Sequence, residues 1–353
     1  MRIRTTICLC ISVMLVLWTA DVASADTYYV NGTCGNDNWH GTSEACDDPP
    51  YGPKESIQAG INISTDGDAV IVAGGTYTGL LNKKLNFGLR EITLKCADDD
   101  VCIIDCQGSY NMVEFTSSNG PQVILEGFTI TGGAGGSQDG RGGAISCNAS
   151  FPHSVSPTIR ACIIAHNSAD WGGGIYLTNG AEAVIENSII RNNSASFGGG
   201  IYIKQDFGEY MHGTILGSTI ADNAASAGGG IYLYGTTDPD RPIVIKRATI
   251  VRNTASNASG GGIDLRGGNA NPRIVNCIVV GNVADADSFG GGLAVLGHQS
   301  QGPAQEPLLV NTLFAGNTAK YGGGIFLKAY TRPIIVDSHV VENFADPEGG
   351  GIF

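Results

Sequence analysis

Three aspartates near equivalent places in a repeated sequence pattern are candidates for acid–base chemistry. They are Asp170, Asp222 and Asp264. A pair of carboxylates can hydrolyse a glycosidic bond when one acts as the acid and the other as base or nucleophile. These three do not keep a strict register, and aspartates in turns are commonly solvated. We therefore favour solvated turns over a catalytic set.

Basic side chains could support a different reaction, the removal of a proton beside a sugar carboxylate. That reaction also needs a calcium ion or a cationic group to neutralise the carboxylate. Lys246, Arg266 and Arg273 lie in separate repeats and could align. The histidines share no motif, and the candidates among them are His212, His298 and His339. We favour solvated surface groups for all of these residues.

Signatures of other catalytic and binding sites are absent from the sequence. The cysteine and histidine spacings do not form a zinc site. There is no P-loop, dinucleotide-binding fingerprint or hydrolase serine elbow. The glycine triplets are not followed by the aspartates of a calcium-binding repeat. Any chemistry must therefore come from residues that the fold brings together.

A repeat of seven copies must position most of these side chains. In the first copy, Ile164 precedes the marker Asn167 by three positions and Ala169 follows it by two. Gly172–Gly174 and Ile175 complete the copy. The markers are 26, 30, 30, 29, 35 and 26 residues apart. They are Asn167, Asn193, Asn223, Asn253, Asn282, Asn317 and Asn343.

A period of this length, with short strands and no helical pattern, is typical of one coil of a parallel β-helix. Equivalent residues then lie above one another, about 4.8 Å apart. The asparagines would hydrogen-bond in a ladder, which satisfies amides that are costly to bury. Glycine triplets would allow tight turns and close stacking. We predict an all-β fold, a single-stranded parallel β-helix or solenoid.

An aromatic column follows from the same alternation. In the strand after each glycine triplet, Ile175 and Leu177 would point inward and Tyr176 outward. The column is broken by Asp264 and Ala294. We expect it to be exposed, and we favour packing between neighbouring coils over stacking on sugar rings or on a partner. Its members are Tyr176, Tyr202, Tyr232 and Phe326.

The ends of the chain differ from the repeats. Residues 1–25 have the pattern of a secretory signal peptide, with Arg2 and Arg4, an apolar run and the small residues Ala23-Ser24-Ala25. Residues 26–68 are predicted to form an N-terminal loop and a short capping helix, Lys54 to Ile63. Residues 69–353 would form the β-helix, with repeats over 142–353. The sequence stops inside a repeat, so we expect a truncated reading frame.

Charge and cysteine content restrict the partners and the compartment. The net charge is −13, and without residues 1–25 it becomes −14, from 18 basic and 32 acidic residues. Such a surface repels nucleic acid and anionic lipid, and also acidic polysaccharide unless calcium bridges the two. Eight cysteines remain after the signal, in an oxidising compartment. Cys34 and Cys46 could pair, whereas Cys147, Cys162 and Cys277 could be buried thiols or bridges.

The repeats resemble those of the chlamydial polymorphic outer membrane proteins, which carry Gly-Gly-Ala-Ile and Phe-x-x-Asn tetrads. Gly142–Ile145 and Phe314–Asn317 match the two tetrads. The segment from Tyr28 to Tyr77 looks like the entry of right-handed, pectate-lyase-like β-helix proteins. Val336–His339 is faintly similar to a lyase tetrapeptide and differs at its third position. The resemblance implies a right-handed β-helix in a surface-exposed protein, and some members of the polymorphic family act as adhesins.

Two functions remain open from the sequence. The first is a secreted or cell-surface protein without enzymatic activity, which binds a polysaccharide or a host or cell-surface glycan, or acts as an adhesin. The alternative is a polysaccharide lyase or glycosidase of the pectate-lyase-like type. No cofactor is expected, except calcium for a lyase. No nucleic-acid partner is expected, and no transmembrane segment in the mature chain.

Overall fold

The computed structural model describes residues 25–109, 113–116, 120–135, 140–149, 155–178, 180–205, 210–285, 287–297, 304–328 and 330–353. In these residues the chain winds into a solenoid of short parallel strands. Each complete coil of the repeat region contributes one strand to each of four parallel sheets. The predicted signal peptide lies outside the described residues, except Ala25.

The four sheets are numbered in the order in which a coil visits them. Sheet 1 contains Thr27–Val30, Ala69–Val72, Thr93–Cys96, Ile124–Glu126, Thr158–Arg160, Val184–Glu186, Thr214–Leu216, Val244–Lys246, Arg273–Val275, Leu308–Val310 and Ile334–Val336. Sheet 2 contains Gly75–Tyr77, Cys102–Ser109, Phe128–Gly133, Ile163–Ala165, Ile189–Arg191, Thr219–Ala221, Thr249–Val251, Ile278–Val280, Leu313–Ala315 and His339–Val341.

The other two sheets follow the asparagine marker and the glycine triplet. Sheet 3 contains Ser168–Trp171, Ser194–Phe197, Ala224–Ala227, Thr254–Ala255, Val283–Ala284, Thr318–Tyr321 and Phe344–Glu348. Sheet 4 contains Leu85–Asn86, Val113–Thr116, Ile145–Asn148, Ile175–Thr178, Ile201–Lys204, Ile231–Tyr234, Ile263–Arg266, Leu293–Leu296 and Ile325–Leu327.

The core is a set of apolar columns that run along the solenoid. Ile175 pairs with Ile201, which pairs with Ile231, so equivalent side chains stack in strict register. All three are fully buried, as is Ile164. Burial of apolar area contributes about 25 cal/mol per Å², and each coil can bury its inward side chains only against its neighbours. Stability therefore accumulates coil by coil.

The marker asparagines form a buried ladder at the asparagine corner, which joins sheets 2 and 3. Asn193 Nδ2 donates to the Ile164 carbonyl at 2.9 Å and to Asn223 Oδ1 at 3.0 Å. Asn193 Oδ1 accepts from the backbone N–H and the Nδ2 of Asn167, both at 3.0 Å. Each amide in the middle of the ladder thus uses all its donors and acceptors. The ladder extends through Asn253, Asn282, Asn317 and Asn343.

A second ladder, at the serine corner between sheets 1 and 2, was not predicted from the sequence. The backbone N–H of Cys162 donates to Ser188 Oγ at 3.1 Å, and the N–H of Ser188 donates to Ser218 Oγ at 3.1 Å. Further along, the N–H of Thr312 donates to Ser338 Oγ at 3.1 Å. Serine, threonine and cysteine share one position here because each supplies a small polar group that reaches the neighbouring coil.

The glycine corner joins sheets 3 and 4 and explains the triplets. Gly172 has φ +66°, a left-handed conformation that favours glycine. At Gly173, a Cβ would lie 2.4 Å from the Ser194 carbonyl oxygen of the next coil. The first glycine thus makes the turn, and the second allows the coils to approach closely.

The N-terminal cap differs in two details from the expectation. The helix covers Ile57–Ile63 rather than beginning at Lys54, because Lys54 pairs with Val30 in a parallel bridge and Ser56 caps the helix by accepting from the N–H of Ala59. Thr27–Val30 is not loop but the first strand of sheet 1.

Two disulfides tie the N-terminal region. Cys34 is bonded to Cys46, as predicted, and Cys96 is bonded to Cys102. The remaining described cysteines are buried and lie outside these two disulfides. They are Cys106, Cys147, Cys162 and Cys277. In the cases of Cys147, Cys162 and Cys277, the structure favours the buried thiol over the bridge.

Asn223→Ala should destabilise the protein by roughly 3 kcal/mol. The substitution leaves the N–H of Asn193 and the carbonyl of Ile190 buried without their partners, and each unpaired buried group costs about 1–3 kcal/mol. Urea unfolding measures the loss, and amide hydrogen exchange locates it in the adjacent coils. Asn257→Ala, at an exposed asparagine, is the control, and an equal loss in both variants would refute the role assigned to the ladder.

Candidate functional site

The three candidate aspartates lie in three different places and do not form one site. Asp170 is exposed on sheet 3, whereas Asp264 is fully buried on sheet 4. Asp222 occupies the asparagine corner, where its φ of +55° forms part of the turn. It accepts two hydrogen bonds of 2.7 Å from Arg252, and this contact lowers the pKa of its carboxyl. A turn position thus accounts for Asp222, whereas Asp170 is an exposed strand residue and Asp264 is buried.

The basic candidates are also separated. Lys246 and Arg273 lie on neighbouring strands of sheet 1, two register positions apart, because Arg273 pairs with Val244. Arg266 is on sheet 4 instead. The structure therefore brings together two of the three basic residues.

The histidines occupy unrelated positions. His212 is largely buried, with Nδ1 3.2 Å from the carbonyl oxygen of Arg241. His339 is exposed on sheet 2, and His298 lies outside the described residues. Ser338, within the tetrapeptide that is faintly similar to a lyase motif, belongs to the ladder of the serine corner. This tetrapeptide therefore has a structural role.

The expectation of an exposed aromatic column is wrong, although the side chains do point away from the main core. Relative exposure is only 2% for Tyr176, 5% for Tyr202, 4% for Tyr232 and 8% for Phe326. The tyrosine rings stack at 5.5 and 5.2 Å between centroids, with 6° between planes. Sheets 3 and 4 meet at an angle at the glycine corner, so residues of sheet 3 such as Phe197 cover the column.

A buried ion pair interrupts this column. Asp264 Oδ2 accepts from Ser259 Oγ at 2.8 Å and from Arg266 Nε at 3.0 Å. Arg266 also donates to Ser259 Oγ at 2.6 Å and lies over the ring of Tyr232. Burial raises the pKa of the Asp264 carboxyl to about 6, and the contacts with Arg266 and Ser259 oppose that rise. The cluster is closed and fully hydrogen-bonded, which suits a structural element better than a substrate site.

A cavity of about 380 Å³, hereafter the cleft, lies on one side of the solenoid. Its lining residues belong to the connections from sheet 4 back to sheet 1, in residues 210–213, 235–243, 267–272 and 304–307, and to the start of the sheet 1 strands. Its lining includes an exposed aromatic ring and several polar groups. These residues are Tyr210, Thr236, Asp238, Asn271, Arg273 and Glu306.

Hydrogen bonds between successive coils hold the cleft in shape. Thr237 Oγ1 donates to the carbonyl of Asn269 at 3.1 Å and accepts from the N–H of Asn271 at 3.1 Å. Asn271 Oδ1 in turn accepts from the N–H of Glu306 at 2.6 Å. Three successive connections are therefore linked. The lining side chains therefore lie on a surface that hydrogen bonds between coils hold in place, rather than on independent loops.

Charged groups at the cleft have both signs. Hydrogen bonding from the backbone N–H of Asp240 lowers the pKa of the Asp238 carboxyl, which therefore stays ionised at neutral pH. Arg241 pairs with Glu182 at 2.8 Å and with Asp238 at 3.4 Å. Arg273 and Glu306 are exposed. The cleft can thus offer hydrogen-bond donors and acceptors together with the ring of Tyr210.

Of the cleft residues, sequence reasoning identified only Arg273, and it missed the others because they lie between the repeats. The available signal was the spacing of the asparagine markers, which is 26 residues between the first two markers and 29 to 35 in the coils that form the cleft. Extra residues in a solenoid repeat fall in loops on one face, where binding sites often lie.

The described residues contain no cluster of three or more His, Cys, Asp or Glu side chains that could hold a metal ion.

Comparison with known families identifies the fold. The family described as the right-handed β-helix region matches residues 56–211 and 207–306. The chain belongs to this right-handed β-helix family. The Chlamydia polymorphic membrane protein repeat matches residues 311–328, which contain the Phe314–Asn317 tetrad. The predicted all-β, right-handed parallel β-helix with a short N-terminal helix is confirmed, as is the resemblance on which it partly depended.

Solved structures with the same architecture include carbohydrate-active enzymes. Pectate lyase Pel9A aligns with a TM-score of 0.54 and 18% identity, over 93% of this β-helix chain and 80% of its own. XylC in complex with xylose gives 0.49 and 12%, over 89% and 68%. The GH136 lacto-N-biosidase from Eubacterium ramulus gives 0.39 and 13%, over 90% and 67%. At 18% identity, the likeness to Pel9A extends to the fold alone.

Two further findings concern relatives in sequence and membrane-spanning helices. No curated protein matches this β-helix sequence. Among the described residues, no helix has the length and apolar character needed to cross a bilayer.

Asp264→Asn should change the pH dependence of stability. The folded pKa of about 6 lies above the ordinary value of 3.8, so folding favours the protonated carboxyl. The stability that protonation provides is complete below about pH 4 and is lost as the pH rises through 6. Relative to the Asn variant, the wild type should lose roughly 3 kcal/mol between pH 3 and pH 8.

Urea unfolding of both proteins at several pH values measures this difference. Asp47→Asn, at an exposed aspartate, is the matched control and should show no such trend. A constant difference between wild type and Asp264→Asn across the pH range would contradict the burial assigned to Asp264.

Proposed function

We propose that this β-helix protein is an exported, non-enzymatic glycan-binding protein and that the cleft is its binding site. The observation that carries the proposal is the lining of the cleft. It combines the ring of Tyr210, which is 45% exposed, with the amide side chain of Asn271, the hydroxyl of Thr236 and the charged Arg273 and Glu306. Aromatic faces bind the apolar faces of sugar rings, and polar groups around them bind the hydroxyls.

The size and shape of the cleft support a short oligosaccharide as the ligand. Ligand sites usually measure about 300–1,000 Å³, and the cleft, at about 380 Å³, lies near the lower end of this range. It is open to solvent along one side of the solenoid, so a longer glycan could continue beyond it. The links between Thr237, Asn269, Asn271 and Glu306 limit the ordering cost of binding.

Charge favours a neutral glycan in the cleft. The lining carries two carboxylates, Asp238 and Glu306, against one guanidinium, Arg273. The whole chain has a net charge of −13, which repels polyanions at a distance. A neutral oligosaccharide is repelled neither by the cleft carboxylates nor by the net negative charge of the chain. Its hydroxyls can both donate to the carboxylates and accept from Arg273.

An extracellular or cell-surface location belongs to the same proposal. The signal pattern of residues 1–25 supports export, and the two disulfides are typical of oxidising compartments. The polymorphic membrane protein repeat at residues 311–328 supports a surface location by resemblance.

A glycosidase is the second candidate, because Asp238 and Glu306 line the same cleft. Hydrolysis of this kind needs an acid with a raised pKa beside an ionised carboxylate. The pKa of Asp238 is lowered, so Asp238 suits the base or nucleophile and Glu306 would have to be the acid. The likeness to pectate lyase Pel9A adds nothing here, since it extends to the fold alone.

Tyr210→Ala should weaken glycan binding about tenfold, because the ring supplies the stacking surface. A glycan array with residues 26–353 first selects a neutral ligand, and calorimetry then compares the variants. Tyr51→Ala is the matched control, since Tyr51 is 51% exposed but lies in the N-terminal loop away from the cleft. Undiminished affinity in Tyr210→Ala, or an array that binds only acidic glycans, would refute the assignment of the cleft.

The absence of catalysis is tested separately. The same protein is incubated with neutral oligosaccharides and with uronate polymers plus calcium, and reducing ends and ultraviolet absorption by unsaturated products are followed. We expect neither signal. New reducing ends that disappear in Glu306→Gln would establish the glycosidase, and calcium-dependent unsaturated product would establish a lyase.

A further inference from the structure

A second, smaller cavity lies on the outside of the glycine corner, in coils nearer the N-terminus than the cleft. Its volume is about 100 Å³. It is lined by Arg141, Trp171, Tyr176, Tyr202 and Lys204. None of these residues lines the cleft, which is built from the connections between sheets 4 and 1. We call this cavity the corner pocket.

Strand pairing places the lining residues of the corner pocket. Arg141 pairs with Trp171 in a parallel bridge, and the N–H of Gly142 donates to the Trp171 carbonyl at 2.8 Å. Tyr176 and Tyr202 pair on neighbouring strands of sheet 4. Lys204 follows Tyr202 by two residues and so points to the same outer side. The regular backbone of two sheets therefore fixes all five positions.

The chemistry of the corner pocket is unusual for this chain. Two of its five lining residues are cations, although the whole protein has only 20 lysines and arginines against 33 acids. The Arg141 guanidinium lies over the Tyr176 ring, 5.7 Å from its centroid, which holds it against the aromatic floor.

Trp171 supplies an accessible apolar face. It is 36% exposed, in contrast to the stacked tyrosines beneath it. A large indole at the surface beside two cations is the combination that recognises a ring carrying a negative charge. The ring stacks on the indole, and the charge pairs with the guanidinium and the ammonium.

We propose that the corner pocket binds a terminal sugar that carries one anionic substituent, a sulfate or a carboxylate. The volume admits the charged substituent and part of one ring, so the rest of the glycan extends into solvent. The substituent lies between Arg141 and Lys204, and the ring lies on Trp171. This site is independent of the cleft, where the charges favour a neutral ligand.

Intrinsic fluorescence provides the test, because residues 26–353 contain only two tryptophans, Trp39 and Trp171. The protein is titrated with galactose 6-sulfate and methyl glucuronide, and with galactose and methyl glucoside as neutral partners. We expect an anionic sugar to change the emission and to bind at least tenfold more tightly than its neutral partner. The response should disappear in Trp171→Phe and weaken with added salt.

Charge variants separate specific binding from general attraction. Arg141→Ala and Lys204→Ala should each weaken binding at least fivefold. Arg191→Ala is the matched control, an exposed arginine on sheet 2, and Tyr210→Ala tests independence from the cleft. Both of these should bind the anionic sugar as the wild type does, although Tyr210→Ala is expected to lose affinity for a neutral glycan at the cleft. Thermal unfolding verifies that every variant is folded.

Three results would overturn the proposal. They are equal affinity for charged and neutral sugars, unchanged affinity in folded Arg141→Ala, and no response to either anionic sugar at tens of millimolar. A response to only one anionic sugar supports the proposal and identifies the substituent. Loss of binding in Tyr210→Ala would overturn it as well, because the signal would then come from the cleft.

Discussion

The buried hydrogen bonding of the asparagine corner is the constraint on which the coils depend. A carboxamide removed from water must satisfy two donors and two acceptors, and a single coil cannot provide them. Asn193 succeeds only because Asn167 lies below it and Asn223 above it. The register of one coil is thereby imposed on the next, and a shift by one residue would leave several polar groups unpaired. The apolar columns supply most of the stabilisation, whereas the ladder determines where each coil stops and turns.

The outer surface divides according to the same geometry. Where two sheets meet at the glycine corner, outward side chains cover one another and form a second, smaller core, in which Tyr202 and Tyr232 stack. Asp264 shows the consequence for solvent exposure, since its side chain points away from the main core and is nevertheless fully buried. Exposed aromatic and charged side chains lie at the N-terminal end of this corner, beside Trp171, and along the connections that return to sheet 1.

The repeat made the fold predictable from the sequence, because the spacing of Asn, Ala and glycine fixes the register of each coil. The burial of Tyr176 was not predictable in the same way. Alternation along a strand separates inward from outward, but it does not reveal that sheet 3 covers the outward row of sheet 4. The ladder of the serine corner was not predictable from the sequence, because Cys162, Ser188 and Thr312 occupy the same position in the coil without sharing a residue type. The residues of the cleft were not predictable either, because they lie between the repeats and have no common residue type or spacing.

The connections from sheet 4 to sheet 1 differ in length, yet every one returns the chain to the same register in sheet 1. Residues 205–213 and 297–307 both do so, although the second segment is longer. Insertions on this side therefore do not propagate into neighbouring coils. In evolutionary terms the solenoid is modular: this side of the surface can be altered one coil at a time while selection on the scaffold stays unchanged. Diversity among relatives should accordingly concentrate along a single side of the rod.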